Sequence, residues 1–515
     1  MKRILFSAAV LLSGNVFAQI PEDALRYSWY HQNGSTRINS VGGTMGSLAG
    51  DITSIYVNPA GLAFFNTREV SFGINTSELR TRSLYRDSIT KSNRSVIGLN
   101  PVGIIIGLGK KKGEKESVTM GFAINQSTSF NNVIHLKGLN NYSSFSETFA
   151  EEFAKSGMSI DQVLQTNSPL PYTSATALYT YLIDTVRLAD GSYQVKAAPE
   201  YLLDAGQALR QDYLQRTGGG IYELAASVAA NTDNKWYYGA TLGIPIVHYT
   251  SNTVITESDT SSNTDNHFNS FRYEDDFKTS GAGINLKAGA IYRPKDYFRI
   301  GLAIHSPTFM FLKDTRSTRL STELESPAGS FNVSSNEFTN GSEGEASYHQ
   351  YSPWKALISA SYVFREVQNV NRQRAFLSAD IEYVNHRGTK FRSNNEEPTA
   401  DEKAYFKALT KVVKQQYKGA FNFRVGGEVK FSIIMARLGF AYYGNPYKNN
   451  PEKAYQMAFS GGLGYRDKGV FFDLGYVHHL KKDSHFPYRL EDRENTYGAL
   501  KQTRGTVMAT FGFKF

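Results

Sequence analysis

The chain has 515 residues, a net charge of +9, 44 glycines, 32 tyrosines and 33 phenylalanines, but only 3 tryptophans and no cysteine. A disulfide scaffold is excluded, and the basic residues are scattered among acidic ones with no nucleic-acid reader motif. Tyrosine and phenylalanine in such numbers favour strands and suit a surface where a ring meets an interface.

The chain opens on MKRILFSAAVLLSGNVFAQ. Lys2 and Arg3 form a charged region, Ile4 to Leu12 an apolar one, and Val16-Phe17-Ala18 a small-residue cleavage site, so residues 1–18 read as a cleaved secretory signal. The mature chain is expected to begin at Gln19, which is not the cysteine a lipoprotein anchor needs. Beyond it no run approaches the roughly 18 to 20 apolar residues of a membrane helix. An exported chain of this kind is either soluble or a β-barrel.

Next come RINSVGGTMGSLAG, rich in small residues, and DITSIYVNPAGLAFF, Asp51 to Phe65. Asn58-Pro59 interrupts regular structure, because proline lacks an N–H and restricts the residue before it. Yet Ile55, Val57, Leu62, Phe64 and Phe65 are too apolar for an exposed loop.

From Glu69 onward the pattern alternates. In AFNFRVGGEVKF, Phe421, Phe423, Val425, Val429 and Phe431 share one face, while Asn422, Arg424, Glu428 and Lys430 share the other. Ile434 to Tyr442, Tyr455 to Tyr465 and Val507 to Phe515 repeat the pattern. About fourteen segments of this kind begin near Glu69, Arg94, Ser117, Gly220, Lys235, Ser280, Tyr297, Pro353, Arg374, Gly419, Ile433, Ala454, Lys468 and Thr503, and an even count of strands long enough to cross a bilayer fits an outer-membrane barrel. Connections after even-numbered segments are short (KKKGEKE, NTDN, RPKD, EVQNVNR, a turn near Lys430 to Ser432, and RDK), and those after odd-numbered ones are mostly long, the largest from Ser129 to Gly219. A barrel with short periplasmic turns and long external loops sorts its connections this way; a soluble sandwich does not.

On RINSVGGTMGSLAGDITSIYVNPAGLA, on SGAGINLKAGAIYRPKDYFRIGLAIHSPT and on a last strand ending at Phe515, the chain resembles the long-chain fatty-acid outer-membrane transporter family, FadL and its toluene and hydrophobic-compound relatives. The resemblance implies a fourteen-stranded all-β antiparallel barrel over residues 67–515, in the outer membrane of a Gram-negative cell. It implies a hatch over residues 19–66 folded inside the lumen, with Asn58, Pro59, Ala60, Gly61 and Leu62 as its motif. The implied activity is passive uptake of long-chain fatty acids or other hydrophobic small molecules by a monomer among outer-membrane lipids, with no cofactor, metal or nucleic acid. Barrels resembling this family also act as protein-binding subunits or shuttles in type IX secretion, which is the alternative reading.

Ligand-contact candidates follow in three groups. Phe64 and Phe65 end the hatch segment. In the 129–219 loop, SETFAEEFAKSGMSIDQVL and PEYLLDAGQALRQDYL carry Phe149, Phe153, Leu202, Leu203 and Leu209 at helical spacing, as helices shaping an external apolar groove would. Alternation turns Lys287, Arg299, Arg424, Arg437 and Arg504 toward the lumen, together with Glu223, Asp380, Glu382, Glu428 and Asp473. Of these cations Lys287, Arg424 and Arg437 are the candidates to hold a carboxylate by charge-assisted hydrogen bonds; structural ion pairs across the lumen are the competing reading.

Catalytic signals are weak. His478 and His479 point to opposite faces of a strand, His135, His248 and His305 are isolated, and Gly218 to Gly220 lacks the Lys-Ser or Lys-Thr of a phosphate loop. No Ser/His pair is placed by the sequence, so the chain is expected not to be an enzyme.

Overall fold

Alternating apolar and ionic side chains become the two faces of one closed sheet. The computed structural model describes residues 23–515 except position 30, 110–115, 262, 265, 326–327, 365–373 and 450–453. The expected signal peptide, most of KKKGEKE and all of EVQNVNR lie outside the described residues.

Fourteen antiparallel strands form the wall. They are β1 (Arg68–Tyr85), β2 (Ser88–Gly107), β3 (Glu116–Ser129), β4 (Leu209–Thr232), β5 (Trp236–Asp259), β6 (Ser270–Lys295), β7 (Phe298–His305), β8 (Lys355–Phe364), β9 (Ala375–Val384), β10 (Ala420–Phe431), β11 (Ile434–Tyr443), β12 (Tyr455–Asp467), β13 (Val470–His485) and β14 (Gly498–Lys514). Each pairs with the next, and β14 returns to β1 from Glu69↔Lys514 to Leu84↔Ala499. Closure removes the unpaired edges an open sheet would expose.

Strand starts differ from the sequence expectation on one side of the barrel. β2 begins at Ser88 rather than Arg94, β4 at Leu209 rather than Gly220, β6 at Ser270 and β14 at Gly498. Arg86 and Asp87 join β1 to β2 as a two-residue turn with φ of 45° and 61°, the backbone geometry that matches strand twist. The first external connection is therefore tight, not long. These outer strand segments carry polar residues on both faces (Arg80, Arg82, Lys91 and Asn93 outward, Thr81, Ser83, Ser92 and Arg94 inward), which leaves no alternation to read.

Outside the wall, Phe72, Ile97, Leu302, Leu438, Leu463 and Phe511 are exposed, Ile97 and Leu438 to 74%. A belt this apolar matches hydrocarbon, not water. At the rim with the short turns Trp236 stacks on Tyr292 at 4.3 Å, and Tyr297 meets Tyr362 at 5.3 Å, forming the aromatic girdle of an interface.

Residues 31–66 run through the lumen and are mostly buried. Thr36–Asn39 forms one helical turn capped by Ser35, and Asp51 caps Ile52–Ile55. Pro59 sits at the first position of a 3-10 helix, Pro59–Phe64, where its missing N–H costs nothing. Asn58 caps that helix, accepting from Ala60 N at 3.2 Å and donating to Gly46 O at 2.6 Å. The wall receives this backbone on inward-facing glycines: a Cβ on Gly439 would strike Val41 and Gly42, one on Gly301 would strike Gly46, and one on Gly289 would strike Asn58.

Two external pieces complete the molecule. A cap packs helix α1 (Glu147–Ser156), the strand pair 183–187 and 193–197, and the hairpin of Phe309–Leu324 with Gly329–Ser334 around one apolar cluster. Helix α2 (Ala400–Gln416) roofs the lumen, seating Phe406, Leu409 and Val413 against Ala24, Leu25 and Tyr27. Of PEYLLDAGQALRQDYL only Ala198–Asp204 is helical. Leu209 is the first residue of β4, not part of a helix, because from there the chain pairs with β5 and with Asn132–Asn140.

Candidate functional site

β2 has two unequal edges. Toward β1 it is paired from Arg68↔Ile106 to Tyr85↔Ser88. Toward β3 the ladder runs only from Gly107↔Thr119 to Val102↔Ile124. Beyond it β3 keeps to β4 through a bulge between Gln126 and Thr128, and Asn132–Asn140 also pairs with β4. On this edge the outer half of β2 thus faces β3 and Asn132–Asn140 without a backbone ladder.

Side chains stitch this edge instead. Asn33 from the lumen donates to Leu99 O of β2 at 3.1 Å and to Gln126 O of β3 at 2.7 Å, where the ladder stops. Gln126 Oε1 accepts from Leu99 N at 3.0 Å. Farther out Arg94 donates to Thr217 O at 2.6 Å, Ser92 to Val133 O at 3.0 Å, and Thr90 to His135 O. Ile97, exposed on β2, marks the upper limit of the apolar belt here, because Lys91, Asn93 and Ser95 follow it on the same face.

Behind the seam lies a cavity of about 100 Å³, lined by His31, Asn33, Gln126, Asn131, His479 and Arg504 among others, with Arg94 at its edge. Among the described residues no aspartate or glutamate lines it. Arg504 donates to Asn131 O at 3.2 Å, and neither arginine is in an ion pair among the described residues. His31 and His479 lie ring to ring at 3.9 Å, each with a buried Nδ1 that has no hydrogen-bond partner among the described residues. On the other side of Arg94 a second depression, about 460 Å³, is lined by Asn93, Val133, Arg216, Thr217, Asp276 and Lys278. Arg94 borders both spaces.

The cations expected in the lumen are inside but otherwise engaged. Lys287 pairs with Glu223, Arg424 with Glu382 at 2.7 Å, and Arg437 with Glu428 and Asp473, both at 2.6 Å. Arg37 of the plug adds to this last network, 3.4 Å from Glu428. None of Lys287, Arg424 and Arg437 lines the cavity. Phe64 stacks on Tyr237 at 3.8 Å, and Phe65 is buried with Ile52, Ile55 and Leu62. Phe149, Phe153 and Leu202 lie in the cap's core with Leu203 packed against it. The motif Asn58–Leu62 is wholly buried in the plug.

Arg94 and His31 escaped the sequence reading. Arg94 sits in a polar stretch with no alternation, and His31 precedes any strand. Of the other histidines, His478 turns outward to Tyr476 at 3.0 Å and His485 meets Tyr213 at 2.8 Å. No group of three or more potential metal ligands occurs among the described residues.

No protein-family model matches the chain, and no curated protein matches it in sequence. Solved structures do. A FadL homologue from Pseudomonas aeruginosa aligns over 93% of this chain and 98% of its own, with 12% identity and a TM-score of 0.50. The toluene transporter TodX from Pseudomonas putida aligns over 94% and 99%, with 11% identity and a TM-score of 0.50. The likeness is one of fold: the chain has the barrel architecture of these transporters.

Proposed function

We propose that the protein is an outer-membrane channel through which hydrophobic small molecules pass by diffusion, crossing the wall at the seam between β2 and β3. The observation that carries this reading is the unpaired outer half of β2. A backbone ladder must lose many hydrogen bonds together to open, whereas single side-chain stitches swing away one at a time. The toluene transporter and the FadL homologue lend the reading their fold.

The cavity narrows the cargo further. Two arginines and two imidazoles without a carboxylate favour an anionic or strongly hydrogen-bond-accepting head group. A space of about 100 Å³ is below the roughly 300 Å³ of a small-molecule pocket, so it holds a head while the chain lies in the seam. Long-chain fatty acids have this form. Residues 23–66 act as a hatch: they close the lumen, and Asn33 sets the lower limit of the seam. Passage toward the periplasm requires that hatch to shift; no energy source enters the scheme.

The test is uptake of a labelled fatty-acid series and of toluene into liposomes holding the purified barrel. Binding that strengthens by about 0.8 kcal/mol for each added methylene is expected. Equal rates with and without protein refute a channel, and a preference for toluene over every acid refutes the head-group assignment while leaving the channel standing.

A further inference from the structure

Helix α2 carries a second pattern that the passage does not use. Its buried face is accounted for by Phe406, Leu409 and Val413 on the lumen roof. Lys403, Lys407, Lys411 and Lys414 are all exposed, and at 3.6 residues per turn they fall within an arc of about 80°. Exposed Lys418 follows the helix, and Lys448 reaches its end by donating to Lys414 O at 2.7 Å. Between the lysines the exposed surface is Ala404, Ala408 and Gln415. Exposed Asp401 lies about 120° around the helix from the centre of the row, exposed Glu396 and Glu397 precede the helix, and Glu402 is buried in the capping box with Thr399. None of the four lysines is in an ion pair among the described residues.

Ordinary helix electrostatics does not produce this row. A cation near the C-terminal end, such as Lys414, complements the helix dipole, but Lys403 lies at the end of the first turn, where a cation is disfavoured. Like charges four residues apart also repel along the helix. Capping and apolar packing hold the helix in place regardless, so the row is a rigid positive surface with no carboxylate paired to it among the described residues.

We propose that this lysine row is a docking surface for an anionic lipid surface, such as a micelle or vesicle carrying the hydrophobic cargo. The row runs about 16 Å along the helix, which fits repeated negative charges and far exceeds what one carboxylate can engage. It stands on the roof of the lumen, and hydrophobic molecules travel through water in assemblies with charged surfaces. The inference rests on the passage reading for the origin of the cargo, but not for the binding itself.

The full-length barrel in nanodiscs of zwitterionic lipid is mixed with phosphatidylcholine vesicles or with vesicles containing roughly one quarter phosphatidylglycerol, and co-sedimentation is measured. Wild type is expected to bind the anionic vesicles about tenfold better at low salt and to lose the advantage at high salt. The combined substitution K403Q, K407Q, K411Q and K414Q should bind both alike, and the four matching arginine substitutions should restore the preference. No preference in wild type, or full preference in the glutamine variant, overturns the proposal. So does a wild type that binds single-stranded DNA of matched charge while ignoring the vesicles. Cargo delivered as monomer from cyclodextrin separates the two readings: uptake should then be equal in wild type and the glutamine variant, whereas a wild type that takes up no monomer refutes the channel and leaves vesicle binding to stand or fall alone.

Discussion

The two edges of β2 are made of the same residues and behave differently. Against β1 the backbone is paired along its whole length; against β3 the ladder stops at Val102↔Ile124, and side chains from Asn33, Arg94, Ser92 and Thr90 hold the rest. Ladder hydrogen bonds cooperate because each fixes the geometry of the next, while stitches by separate side chains are independent. A barrel can therefore be stable as a whole and openable along one line. The line is set by β3, whose bulge at Gln126 to Thr128 keeps it with β4 and leaves β2 alone.

Locking the stitched edge should have the largest effect. The chain has no cysteine, so Ser92→Cys with Val133→Cys introduces one lockable pair across the seam, where Ser92 Oγ lies 3.0 Å from Val133 O. Oxidation is expected to cut uptake by at least about tenfold and reductant to restore it, since a disulfide cannot be swung aside. The matching pair on the fully paired edge, Arg82→Cys with Lys91→Cys, joins directly opposed residues of β1 and β2 where the ladder is continuous and should leave uptake unchanged. Equal inhibition by both pairs would erase the distinction between the edges.

A second contrast sets the two faces of the wall against each other. Gly439→Val places a side chain into Val41 and Gly42 of the plug, whereas Gly461→Val on β12 meets nothing nearer than ordinary contact distance. Overpacking of this kind costs about 1 to 3 kcal/mol. The first variant should keep a heat-resistant barrel but let trypsin cut at Arg37 in the plug; the second should resist as wild type does.

The cations of the seam should divide from those of the ion pairs. Arg94→Gln removes a charge-assisted contact worth roughly 1.5 to 3 kcal/mol, so affinity for acidic cargo should fall about tenfold or more while barrel melting stays put. Arg437→Gln leaves Glu428 only the longer contact to Arg37 at 3.4 Å and Asp473 only Arg466 at 3.9 Å, and should lower barrel stability by several kcal/mol. Calorimetry and ligand titration on both variants decide this.

A smaller, pH-dependent effect belongs to the cap, which continues from the stitched segment Asn132–Asn140. Burial raises the Glu147 carboxyl from about 4.5 to about 7, against the pull of the Ser144 N–H and of Arg493. The closed cap thus holds a proton that the open form releases between those values. Its contribution is complete below about pH 4.5, declines up to about pH 7 and is level above, a change on the order of 2 kcal/mol. Hydrogen exchange over α1 should quicken across that window, and Glu147→Gln should weaken the dependence.

The smallest effect is expected at the motif that first drew attention. Asn58 makes the contacts, capping its helix and donating to Gly46 O, whereas Pro59 only pre-sets a backbone angle. Asn58→Ala should loosen the plug by about 1 kcal/mol and Pro59→Ala by less, read as proteolysis of residues 23–66 with assembly unchanged.

The sequence by itself determined the barrel. Strict alternation around Phe421 to Phe431 or Val507 to Phe515 can be satisfied only by a sheet with one apolar and one ionic face, and the glycine-rich, greasy segment before β1 needed an enclosed place. Alternation also put Lys287, Arg424 and Arg437 inside. It could not choose between cargo contact and ion pairing, because that depends on which carboxylate the register sets opposite, as with Arg424 and Glu382. Only the tertiary structure decided where the wall is unpaired: the seam depends on how far a polar strand extension continues, and Ser88 to Asn93 or Leu209 to Gln215 carry no hydrophobic period. It also decided that Arg94, His31, His479 and Arg504, from the plug and from strands β2, β13 and β14 on either side of the barrel closure, line one space with no acid among the described residues, since closure alone brings residues so distant in the chain within reach of a single head group.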